Sequence, residues 1–215
     1  SNNFPTSPFA YQKIIGGKQD AVAFKFNDDL SQLMYSTFLG GNEDDAAYSI
    51  VYKDQVTYIT GGTKSYNYPI TPNTVQNTFA GDSADAFIST LNLDGSQLLA
   101  STYWGTYAYD QAYFVQLDDE SNVYLLGQTK DTSNYFLRNE QYYIEGGSQF
   151  ISKFSTSLDT VLFSMTFGSG SDTPDIVPSA FLVDVCNKIF VSGWGGDVNG
   201  LGNQMNLPIT ADAFQ

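Results

Sequence analysis

The chain repeats itself, and the period restricts the possible folds more than any local propensity does. VTYITGGTK reaches Gly61, NVYLLGQTK reaches Gly127 and KIFVSGWGG reaches Gly193, each glycine 66 residues after the last. A second motif, YSTFLGG, ASTYWGT and FSMTFGS, places glycines at 40, 105 and 168, spaced by 65 and 63. A third is FPTSPFAYQ (4–12), YPITPNTVQ (68–76) and LPITADAFQ (207–215), with a degenerate copy, YFLRNEQYY, at 135–143. A fourth, DAVAFKFNDD, DAFISTLNLDG and QFISKFSTSLD, begins at Asp20, Asp85 and Gln149. Four motifs returning in one order with one period mark a repeat architecture.

Within one period, four short runs alternate or read as continuous β segments between turn residues. In the best-formed unit they are AYSIVY (47–52), VTYITGG (56–62), DAFISTLNL (85–93) and LLASTYWG (98–105). KDQ and DGSQ are short enough to close β-hairpins, while the stretch between the second and third runs is too proline-rich for a central strand. The strand-ending glycines are expected to turn the chain where neighbouring units crowd. Four antiparallel strands per repeat make one blade of a β-propeller, and blades are stable only when packed face to face. The expected fold is all-β: half a blade over 1–40, blades over 41–105 and 106–168, and half a blade over 169–215. That is about three blade-equivalents, fewer than the roughly 4 to 8 that close a ring. The expectation is therefore an open part of a larger propeller.

Composition removes several functional classes. There is no histidine, which excludes Ser-His-Asp and Cys-His sites and histidine-ligated metals within the chain. One cysteine, Cys186 in the turn DVCNK, excludes internal disulfides and leaves a thiol for a partner outside this chain. With 23 acidic and 9 basic residues the net charge is −14, which argues against binding nucleic acid or anionic membranes. No apolar run is long enough for direct membrane insertion, and the opening SNNFPTSPFAYQ does not read as a secretion signal.

Acids are the first candidates for chemistry. Glu43, Asp44 and Asp45 follow a Gly-Gly, Asp110 is their counterpart in the next unit, and Asp172 and Asp175 in the one after. Carboxylates in glycine-rich loops suit calcium, so Asp44, Asp45 and Asp110 are the calcium candidates, against a plainer reading as solvated turn acids. No cofactor other than calcium is expected. Asp28, Asp29, Asp94, Asp118 to Glu120 and Asp159 read as hairpin acids. A pair of carboxylates in a propeller channel would make the alternative function, a carbohydrate-active hydrolase, but no pair stands out. Aromatic residues offer a contact surface through Trp104, Tyr107, Tyr109 and Trp194, with Tyr66, Tyr68, Tyr103 and Tyr113 nearby in sequence. Packing between blades is the competing role for these rings.

The block YSTFLGGNEDDAAYSI, followed by VTYITGGTKSYNYPITPNTVQNTFAGDSADAFISTLNLDGS, resembles the seven-bladed β-propeller repeat, or SBBP repeat. That family's pattern joins YSTYLGG, an acidic loop, a strand ending VTG, FPTTPxAxQ and DAFVAKLNxDG. The copy at 35–96 is close and the others are degenerate. DVCNKIFVSGWGG (184–196) is similar to stretches of long secreted or surface proteins of Bacteroidota with gliding-motility-type sorting domains. The resemblance implies an extracellular or cell-surface location and the type IX secretion machinery as a partner during export. It implies a non-enzymatic structural or binding segment that touches surface proteins or glycans.

Overall fold

The computed structural model describes residues 4–81, 83–139, 142–170, 173–195 and 210–213. Of the third copy of the proline motif, LPITADAFQ, residues 207–209, 214 and 215 lie outside the described residues, as does Asp172. Twelve strands follow one another: β1 (Ala21–Phe26), β2 (Leu33–Leu39), β3 (Asp45–Lys53), β4 (Val56–Thr63), β5 (Asp85–Leu91), β6 (Leu98–Trp104), β7 (Asp110–Leu117), β8 (Val123–Thr129), β9 (Gln149–Phe154), β10 (Val161–Phe167), β11 (Ile176–Val183) and β12 (Ile189–Gly195). No helix is present among the described residues.

The strands form two four-stranded antiparallel meanders, β3-β4-β5-β6 and β7-β8-β9-β10, and two two-stranded sheets, β1-β2 and β11-β12. The molecule is an open, partial β-propeller. By repeat position, β1 and β2 are the third and fourth strands of a blade, and β11 and β12 the first and second. The KDQ hairpin turns with Asp54 and Gln55 both at positive φ (51° and 67°), the twist that suits a tight antiparallel connection.

Side-chain alternation along each strand feeds two separate cores. On β4, Tyr58 faces the second meander and Ile59 the first half-sheet. On β5, Ala86 and Ile88 point one way and Phe87 and Leu91 the other. On β8, Val123 and Leu125 pack toward the first meander, Tyr124 and Leu126 toward β11 and β12. Because the side-chain period is two, a sheet buried on both faces needs apolar residues at successive positions. This explains why these central strands read as continuous apolar runs.

The repeating glycines serve a different purpose from the one expected. Gly61, Gly127 and Gly193 lie within strands, and none has positive φ. Each pairs beside a β-bulge in the blade's first strand, after Ala47, Ala112 and Pro178 respectively. The bulge drives a carbonyl into the space a side chain would use, those of Ala46, Gln111 and Val177. Glycine is required there by close backbone approach.

Candidate functional site

The antiparallel meanders bring the starts of first and third strands to one end of the molecule, with the ends of second and fourth strands. The acidic loops cluster there, and for Asp45, Asp110 and Asp175 the structure corrects the reading as solvated turn acids. Asp45 is fully buried: its Oδ2 accepts from Gly41 N–H (2.7 Å) and Ser65 Oγ (2.9 Å), and its Oδ1 from Thr63 Oγ1. Asp110 repeats the arrangement, accepting from Thr106 N–H (2.6 Å) and Thr106 Oγ1 (2.8 Å). Asp175 accepts from Ser169 N–H at 2.6 Å. Each of these aspartates ties the first strand of one blade to the loop that leaves the last strand of the blade before.

A second aspartate begins the third strand. Asp20 accepts from Gly16 and Gly17 N–H (2.8 and 3.1 Å) and from Gln12 Nε2 (2.7 Å). Asp85 accepts from Ala80 N–H (2.8 Å) and Gln76 Nε2 (3.3 Å). Backbone bonds from Asp45 N–H to Gln19 O (2.7 Å) and from Asp110 N–H to Ala84 O (2.8 Å) bring the two kinds of aspartate together at each junction. The positions therefore meet as Asp20 with Asp45, and as Asp85 with Asp110. At the third junction Gln149 replaces the third-strand acid, exchanging hydrogen bonds with Ile176 N–H (3.3 Å) and Ile176 O (3.2 Å).

Electrostatics follow from burial. Desolvation pushes the Asp85 carboxyl up to about 7, helped by the negative charge of Asp110 and opposed by its hydrogen bonds to Ala80 and Gln76. Burial likewise raises Asp110 and Asp45 against the hydrogen bonds that pull them down. Asp118, at the opposite end, behaves otherwise. Burial alone would raise it, but Lys153 (2.8 Å) and Asn122 bind its carboxylate and hold it below the usual range.

These facts bear on each candidate. Asp45 spends both carboxylate oxygens on protein donors, Asp110 spends Oδ2 and keeps Oδ1 buried without a hydrogen bond, and Asp44 stands apart on the surface with Lys64 Nζ at 3.6 Å. Among the described residues no three acids or thiols converge to hold a metal ion. The buried pairs lack the solvent access a hydrolase substrate would need. The hairpin acids are mostly exposed, with Asp118 the buried exception.

The aromatic candidates separate cleanly. Trp104 is not a surface residue: it is buried between the two meanders, edge-on to Phe136 and Phe154, with Nε1 donating to Ser152 Oγ at 3.0 Å. Tyr68 and Tyr103 are buried as well, and Tyr109 and Tyr113 are partly covered. Tyr66, Tyr107 and Trp194 are largely exposed, and all three sit at the end that carries the aspartate junctions. Cys186 is an exposed free thiol in the β11–β12 turn.

A recurring glutamine belongs to the site although its residue type alone does not mark it in the sequence. Gln12 and Gln76 close the proline motif, and each runs its backbone along the outer edge of a fourth strand. Gln76 N–H donates to Thr102 Oγ1 (2.9 Å), and Gln76 O accepts from Tyr103 N–H (3.1 Å). Gln12 repeats both bonds with Thr37 and Phe38 (2.9 and 3.0 Å). Their side-chain oxygens accept from Gly105 and Gly40 N–H, both at 3.0 Å. The proline motif is thus a clamp that covers the blade edge and braces the third-strand aspartate. Its sequence signal is a Gln that recurs with the Asp eight or nine residues after it.

The chain matches none of the protein-family models it was scanned against and none of the curated proteins, so the likeness to the SBBP repeat rests on the repeated motifs alone.

Proposed function

We propose that this chain is a non-enzymatic structural and binding segment of a secreted or cell-surface protein, exported by type IX secretion. The observation that carries the reading is how side chains are divided at the junction end. The recurring carboxylates are buried inside the fold, while Tyr66, Tyr107 and Trp194 stand exposed beside them. Exposed rings on rigid strand ends suit contact with a glycan or protein, because they bring apolar area at little entropic cost. The export route is supported by the similarity of 184–196 to long secreted Bacteroidota proteins.

Glycan arrays and surface-protein pull-downs test the reading, with wild type beside a Tyr66→Ser, Tyr107→Ser, Trp194→Ser variant. Binding by wild type that falls at least tenfold in the variant is the expected outcome. Turnover of a polysaccharide by the purified chain, with no retained ligand, would contradict it.

A further inference from the structure

The second blade junction departs from the first at its surface, and the departure opens a cavity. Counted from the aligned aspartates and from Gly61 and Gly127, Lys18, Glu43, Asp44 and Lys64 of the first junction correspond to Ser83, Ala108, Tyr109 and Lys130 of the second. The backbones match. Asp44 and Tyr109 bridge to Gln19 and Ala84, and their carbonyls accept from Lys64 N–H and Lys130 N–H, both at 3.0 Å. The side chains differ, because the first junction carries two ion pairs, Lys18 with Glu43 at 3.3 Å and Lys64 with Asp44 at 3.6 Å.

In the second junction both pairs are gone. Ser83 and Ala108 are too short to refill the space of Lys18 and Glu43, and Tyr109 takes the place of the acid opposite Lys130. What remains is an open cavity of about 500 Å³ lined by Ser83, Ala108, Tyr109, Gln128 and Lys130, within the roughly 300–1,000 Å³ usual for ligand pockets. Lys130 has no carboxylate partner among the described residues. Its Nζ lies 6.0 Å from the centre of the Tyr109 ring. The acid next to it in sequence, Asp131, is engaged within its own loop, where Oδ2 accepts from Ser133 Oγ (2.8 Å) and Tyr135 N–H (3.4 Å). A lysine left unpaired in a chain of 23 acidic and 9 basic side chains leaves room for a carboxylate brought from outside.

We propose that this cavity binds a uronic acid unit of a saccharide. The ligand carboxylate takes at Lys130 the role that Asp44 has at Lys64, through a charge-assisted hydrogen bond. The C–H face of the pyranose lies on the Tyr109 ring, while Gln128 and Ser83 supply an amide and a hydroxyl for the sugar hydroxyls. A sugar acid uses the cation, the ring and both neutral polar groups together, whereas a lone peptide carboxylate leaves the ring bare. The third junction has no equivalent, because Gly147 and Pro174 stand where Ser83 and Tyr109 do. The assignment rests on the reading of the chain as a binding segment and gives that reading a ligand class.

The test is calorimetry of the 215-residue chain with tetrasaccharide fragments of polygalacturonate, alginate and hyaluronan, each beside its methyl ester. At least one acidic fragment is expected to bind, and its ester to bind about tenfold more weakly or worse. Lys130→Gln is expected to weaken the acid by about the same factor with unchanged circular dichroism. Tyr109→Asp, which restores an acid opposite Lys130 as in the first junction, is expected to do the same. No binding of any fragment, or equal binding of acid and ester, would overturn the proposal. Glycans retained through Tyr66, Tyr107 and Trp194 but indifferent to Lys130→Gln would overturn the cavity and leave the binding reading standing. A tetraglutamate peptide that binds through Lys130 while every fragment fails would overturn the saccharide in favour of an acidic peptide.

Discussion

Asp85 is sealed at a blade junction with its Oδ1 buried and without a hydrogen-bond partner, while Oδ2 takes both donors. A carboxyl raised to about 7 binds its proton more tightly in the folded chain than in the unfolded one. Its contribution is fully present below about pH 4 and is lost as pH climbs toward 7, in the same direction as the raised Asp45 and Asp110. Asp85→Asn keeps an acceptor for Ala80 and Gln76 and removes the buried charge. We expect the melting temperature of wild type to fall between pH 5 and 8, and that of Asp85→Asn to fall less. At pH 8 the variant should be more stable by the order of 2–4 kcal/mol, measured by denaturant unfolding. Gln149, an uncharged residue at the aligned position of the next sheet, shows that the site accepts a neutral side chain. At the same scale, Gly127→Ala would place a methyl group against Gln111 O and the Phe150 ring. A loss of at least about 2 kcal/mol is expected in the same unfolding measurement.

At the scale of elements, the sheets are held by apolar faces and by the proline clamps that cover their outer strands. Trp104→Ala removes the largest fully buried side chain from between the meanders and should cost about 3–5 kcal/mol in equilibrium unfolding. Gln76→Ala should act locally: the amides of Gly105 and Tyr103 should lose hydrogen-exchange protection while those of β8 keep theirs. Strand positions are legible in the amino-acid sequence, because turn residues bound each run and the period repeats the pattern. AYSIVY and VTYITGG fall inside β3 and β4, and DAFISTLNL and LLASTYWG start with β5 and β6 and overrun their ends by two residues and one. The fate of the acids is not legible there. An Asp after Gly-Gly reads as a turn residue, and only the folded junction shows it facing Gly41 N–H, Thr63 and Ser65. Trp104 is ambiguous in sequence for a related reason: the pattern says that it alternates with Tyr103, not that both faces of its sheet are covered.

For the whole molecule, the period explains both its regularity and its unfinished ends. The −14 charge repels itself within the folded chain, so added salt should stabilise the fold by screening that repulsion. Thermal melting at about 0.05 and 0.5 M NaCl measures this, and a higher melting temperature at the higher concentration is expected. Ile50 and Phe190 are exposed at the repeat positions where Val115 and Tyr124 are buried between sheets, so protection should fall from the central sheets toward β1 and β12. Hydrogen–deuterium exchange of the strand amides tests this most directly. Rapid exchange is predicted for β1 and β12, with β5 and β8, which are buried on both faces, protected. Exchange in β5 and β8 as fast as in β1 and β12 would contradict sheets that are stable only through their neighbours.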